Sequence, residues 1–192
     1  MRGNDIVDLH AAALESNWQR KGFLEKIVTP SEQQYIHLSG NPHSTFWRLW
    51  SMKESAYKAD VRLTHARIFA PQKYICWFSD EINGIVYTGN RVYRCITSQT
   101  TGYIYSRAAP MNFTEDPFLD HCFAITGNTG FQQQVIHQTI LDAYAAWSGR
   151  KKTLLHIVKD ALNIPSLFCA ENQSWVPLSI THHGRYAAFT IN

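Results

Sequence analysis

Apolar and polar positions along the chain alternate in two distinct periods, and these divide it into elements. Residues 4–9, NDIVDL, are branched apolar side chains with an acid near each end, the pattern of a short strand. The spacing predicts a helix from there to about Trp18. In FLEKIVTPSE, Thr29 suits an N-cap, Pro30 the first helical position and Glu32 the far side of a capping box, so a second helix starts near Pro30. SGNPH, residues 39–43, reads as loop. A strong helix is predicted over about 44–59, with Phe46, Leu49, Trp50 and Ala56 on one buried side. Between 68 and 108 the period changes to two. KYICWF, GIVYT, RVYRCIT and YIYSR are separated by turn dipeptides such as Asn83-Gly84, which predicts an antiparallel meander.

Residues 110–130 read as irregular. A helix is expected at about 131–148, where Val135, Ile136, Ile140, Ala143, Tyr144 and Trp147 form a stripe ended by Gly149. A further helix is expected at 153–162, with Leu154, Leu155, Val158 and Leu162 on one side. WVPLSITHH and YAAFTI close the chain as two strands around His183-Gly184. Helices and an antiparallel meander in separate stretches indicate an α+β fold. No internal repeat and no long linker interrupt it, so one domain over residues 1–192 is the expectation.

Composition narrows the class. The chain has 192 residues, 45% apolar and 17% charged, which suits a globular protein with a full core. A net charge of +3 is too mild to indicate a nucleic-acid or membrane partner. The only dense basic run is Arg150-Lys151-Lys152, and the aromatics follow strand and helix spacing, so base stacking is the weaker account of them. No apolar run approaches the roughly 18–20 residues of a membrane span. The first residues lack the apolar stretch of a signal peptide. Four scattered cysteines without a C-x-x-C pair fit a reduced, cytoplasmic chain.

Three constellations carry candidate chemistry. Asp5 and Asp8 flank the first strand, where a carboxylate can bind a hard cation such as Mg²⁺ or simply be a solvated turn group. Glu54 and Lys58 lie four apart on a helix, either as an ordinary ion pair or as a metal-binding carboxylate beside a phosphate-binding ammonium. Ser179, Thr181 and His183 alternate along a strand with Ile180 and His182, and a histidine with a hydroxyl can hold a phosphate or only pack.

In order along the chain, these segments resemble the signatures of the 4′-phosphopantetheinyl transferase superfamily. GNDIVDL (3–9) is similar to its G-x-D-I-V-E opening, FLEKIVTPSE (23–32) to its F-L-x-R-x-F-T-x-x-E stretch, FWRLWSMKESAYKA (46–59) to its W-S-x-K-E-x-x-x-K-A helix, and PLSITHHGRYAAF (177–189) to its S-I-S/T-H hairpin. The acidic motif comes first and the histidine motif last, as in the single-unit holo-acyl-carrier-protein synthases, with an enlarged segment at about 60–150.

The resemblance implies a transferase that moves the 4′-phosphopantetheine arm of coenzyme A to a serine of an acyl or peptidyl carrier protein. It implies an antiparallel sheet packed against helices. It makes Asp5 and Glu54 ligands of Mg²⁺, with Glu54 and Lys58 catalytic. Lys58, Thr181 and His182 would contact the phosphates of coenzyme A. Lys53 would bind a phosphate or pair with a carboxylate, and Arg2 and Arg185 are further phosphate candidates. Val7 stands where the long members carry a second acid. By analogy with the short members, His182 of one subunit would face Asp5 and Glu54 of its neighbour in a homo-oligomer, a trimer being favoured, unless the enlarged segment supplies the missing half-site. The alternative is an inactive member that binds coenzyme A or serves as a scaffold.

Overall fold

Alternating side chains at the two ends of the chain place both ends in sheets, and those sheets meet along the first strand. In the computed structural model, which describes residues 1–113 and 117–192, the chain opens with β1 (Gly3–Asp8). Helix α1 (Leu9–Glu15) follows, capped by the Asp8 carboxylate, which accepts from the amides of His10 and Ala11. A single turn, α2 (Leu24–Ile27), leads to α3 (Pro30–Leu38). The capping box of Thr29 and Glu32 forms as expected, with Pro30 in the first turn. Helix α4 (Pro42–Thr64) is longer than the apolar stripe suggests, because Asn41 caps it early and it continues to a left-handed His65.

The meander is present as β2 (Ile75–Phe78), β3 (Asn83–Thr88), β4 (Arg91–Gln99) and β5 (Tyr103–Pro110). It does not stand alone, for β1 adds to β5 and the sheet order is β1-β5-β4-β3-β2, antiparallel throughout. Phe46, Leu49, Met52 and Ala56 of α4 pack with Val86, Tyr93, Cys95 and Ile104 of the sheet as one core.

The second half differs from the sequence reading in three places. A strand, β6 (Leu119–Ala124), lies inside the stretch read as irregular; residues 114–116 of that stretch lie outside the described residues. Helix α5 (Thr129–Ser148) is where it was expected. The helix expected at 153–162 is instead a short 3₁₀ turn followed by the strand β7 (Leu155–Lys159). Its apolar residues fit both periods, and the choice is made by pairing with the unpredicted β8 (Pro165–Cys169), which buries Leu155 and leaves His156 exposed. The chain ends in β9 (Ser174–His183) and β10 (Tyr186–Ile191). This second antiparallel sheet has the order β6-β10-β9-β8-β7. α5 covers it through Ile136, Ile140 and Tyr144.

A small cluster of Ile6, Tyr105 and Ala188, with Tyr103, Cys122 and Tyr186 against it, joins the two sheets. The enlarged segment thus supplies β2 to β6 and α5, and β1 lies between one sheet that it completes and another that it only touches. Among the described residues, no helix is long and apolar enough to cross a membrane.

Candidate active site

Close approach of two elements builds the site. Gly3 of β1 lies against α4 so tightly that any β-carbon would overlap the Ser55 carbonyl oxygen. Two residues on, the Asp5 side chain therefore sits beside the face of α4 that carries Glu54 and Lys58. The ammonium of Lys58 donates to Oδ1 of Asp5 and to the carbonyl oxygen of Asn4, both at 3.0 Å. It is not spent on Glu54, so the simple i,i+4 ion pair is not what the structure contains.

The second sheet brings the histidine motif to the same place. Thr181 of β9 donates its hydroxyl hydrogen to Oδ1 of Asp5 at 3.1 Å. Asp5, Trp47, Trp50, Glu54, Thr181 and His182 line a cleft of about 350 Å³. An adjoining cavity of about 320 Å³ shares Glu54 and Lys58 and adds Arg62, Arg67, Asn163 and Ser179. All of these residues belong to one chain. This differs from the expectation that His182 reaches its carboxylates across a subunit interface: within the chain, β9 brings Thr181 and His182 to the cleft that holds Asp5 and Glu54.

The electrostatics follow from crowding. Burial, with the Asp5 carboxylate nearby, pushes the Glu54 carboxyl up to about 7, and Lys58 opposes this only in part. Burial and the nearby Lys58 lower the His182 imidazole, which favours its neutral form. Oδ2 of Asp5 is buried and has no hydrogen-bond partner. Two carboxylates close enough to repel, one of them with an orphaned oxygen, form an oxygen-only donor set that a small divalent cation would satisfy. Among the described residues no cluster of three or more His, Cys, Asp and Glu could hold a metal. A Mg²⁺ site needs no such cluster, since it takes one or two carboxylates, substrate phosphates and water. The residues fit such an ion.

Lys53 is elsewhere. Its side chain is fully buried, with the ammonium 2.7 and 2.8 Å from the Glu32 oxygens and bonded to the carbonyls of Pro71 and Tyr74. Of its two roles, pairing with a carboxylate is the one observed, and the phosphate-binding assignment is corrected. Arg2 bonds Asn192 and lies over the Phe118 ring, and Arg185 bonds Asp8; neither lines the cleft. Asp8, grouped with Asp5 in the sequence, is spent on the α1 cap and on Arg185. The sequence reading missed Trp47, Arg62 and Arg67, whose only signal is their place on and just beyond α4. The family model described as 4′-phosphopantetheinyl transferase superfamily matches residues 2–103, just over half of the chain and including Asp5, Glu54 and Lys58. No curated protein matches it.

Proposed function

The chain belongs to the 4′-phosphopantetheinyl transferase superfamily, and from that premise we propose that it transfers the 4′-phosphopantetheine arm of coenzyme A to a serine of an acyl or peptidyl carrier protein in a Mg²⁺-dependent reaction. The observation that carries this reading is the meeting, in one cleft, of Asp5, Glu54 and Lys58 from the family-matched segment with Thr181 and His182 from outside it. A protein used only as a scaffold has no need to gather two repelling carboxylates, an ammonium and a neutral imidazole at a solvent-reachable cleft.

Asp5 and Glu54 would hold the cation, which when bound counters charge on the pyrophosphate oxygens. Lys58 reaches the same oxygens from α4 and stabilises the charge that builds on them during transfer. The neutral His182 binds a phosphate as a hydrogen-bond donor. The carrier serine oxygen forms a bond to the β-phosphorus as the bond to the leaving adenosine 3′,5′-bisphosphate breaks. The serine proton passes to Glu54, which burial has tuned toward neutrality, or to a water beside it. The adjoining cavity, with Arg62 and Arg67, offers positive charge for the nucleotide end.

Mass spectrometry tests the reading. Candidate carriers are incubated with coenzyme A, Mg²⁺ and the protein. A gain of one phosphopantetheine arm, lost with Glu54→Ala, is the expected result. Unmodified carriers together with no coenzyme A binding would overturn it, and binding without transfer would favour the inactive alternative.

A further inference from the structure

β1 is the edge of its sheet, so the amides of Asn4, Ile6 and Asp8 point away from β5 and lack ladder partners. β9 satisfies them with side chains. The Ser179 hydroxyl accepts from the Asn4 amide at 3.3 Å, the Thr181 hydroxyl from Ile6 at 3.2 Å, and Nδ1 of His183 from Asp8 at 3.0 Å. The separation in sequence is 175 residues in every pair, so two strands of period two run in step. This is a ladder in which one side is backbone and the other is Ser, Thr and His.

Only the middle rung touches a proposed metal ligand. A hydroxyl has one hydrogen to give. With the Ile6 amide donating to its oxygen, the Thr181 hydroxyl is oriented to give that hydrogen to Oδ1 of Asp5. Lys58 occupies the same oxygen, and Oδ2 is left buried without a partner. We propose that Thr181 is a positioning residue: the Ile6 amide orients its hydroxyl, the hydroxyl holds Oδ1 of Asp5, and Oδ2 is thereby presented to a divalent cation shared with Glu54. Thr181 then acts through Asp5 and not by contacting a phosphate of coenzyme A. The inference rests on the metal assignment made above.

The test is Mn²⁺ binding, followed by electron paramagnetic resonance on the full chain with coenzyme A and no carrier, so that it does not depend on turnover. Thr181→Val keeps the shape and removes both bonds, whereas Thr181→Ser retains the hydroxyl. Loss of a hydrogen bond to a metal ligand weakens metal affinity by about 10–100-fold. That loss is expected for the valine variant, with the serine variant within about threefold of wild type and both melting cooperatively. If the valine variant does not fold, Thr181→Ala is measured with the same expectation. Wild-type Mn²⁺ affinity in a folded valine or alanine variant overturns the proposal, as does a defect confined to KM for coenzyme A. A wild-type protein that transfers the arm yet binds no Mn²⁺ overturns it and leaves the transferase reading standing. A protein that binds Mn²⁺, loses it with Thr181→Val and modifies no carrier overturns the transferase reading and leaves the Thr181 result intact.

Discussion

Gly3 and Ala59 are 56 positions apart in sequence, yet a β-carbon on Gly3 would stand 2.5 Å from the Ala59 amide nitrogen. Backbone lies on the far side of that contact, so it has no flexible side chain to move. Gly3→Ala is therefore expected to push β1 off α4 and to part Asp5 from Glu54 and Lys58. Overpacking of this kind costs about 1–3 kcal/mol. The variant should have a lowered melting temperature, and activity should fall further than stability does. A Gly3→Ala protein with normal melting and normal turnover would show that the approach is dispensable.

Glu54 makes stability depend on pH in an unusual direction. Its carboxyl is raised from an ordinary 4.5 to about 7, so the folded chain holds that proton more tightly than the unfolded chain. The contribution to stability is fully present below about 4.5 and is lost as pH rises to about 7. Glu54→Gln mimics the protonated form. In metal-free protein the variant should melt higher than wild type at pH 8 and at the same temperature near pH 4.5. Added Mg²⁺ should narrow the gap at pH 8 by stabilising only the carboxylate. Equal melting at both pH values would remove the crowded-carboxylate account.

Lys58 separates chemistry from helix stability. A surface i,i+4 pair is worth about 0.2–0.5 kcal/mol, and its loss would leave turnover nearly unchanged. The ammonium bonds Asp5 and not Glu54, so Lys58→Ala should instead cost on the order of 10²-fold in kcat, as for other groups that meet developing charge. Steady-state kinetics decide, and a change below about threefold would return Lys58 to a structural role.

Lys53 should behave in the opposite way. It and Glu32 are both buried without exposed side-chain surface. Glu32 also accepts from the amides of Thr29 and Cys76, tying the start of α3 to β2. Removing one partner of such a pair leaves an uncompensated charge and costs about 3–5 kcal/mol. Lys53→Ala is expected to lower the melting temperature sharply, while the fraction that still folds binds coenzyme A with unchanged affinity. A stable variant with weakened binding would restore Lys53 to the site.

The first half of the fold was legible because its signals are local. The Thr29–Glu32 box and the α4 stripe each act within a few residues, whereas Asn83-Gly84, read as a turn, opens β3 and pairs with Ile96 and Cys95. Asp5, Glu54 and Lys58 could be grouped only through the family resemblance, since nothing local says that residue 5 meets residue 58. β7 and β8 were not legible. Leu154, Leu155 and Val158 fit a helix as well as a strand, and the deciding contact is a partner strand that begins at Pro165. Lys53 was ambiguous for a related reason: its neighbours Met52 and Glu54 face different surroundings, and one helical position decides between core and cleft.

Subunit mixing tests the most consequential departure from the sequence reading. A short, single-unit arrangement predicts half-sites from two chains, and then inactive Glu54→Ala and inactive His182→Ala proteins would recover activity together as some interfaces regain both halves. In the structure Thr181 and His182 meet Asp5 and Glu54 within one chain, because the second sheet docks on the edge of β1. Each variant then carries its defect in every cleft it forms, whatever its oligomeric state. Mixing under conditions that allow exchange is expected to restore nothing, and specific activity should not fall on dilution. Recovery to a substantial fraction of wild-type activity would mean that the working cleft is formed between chains.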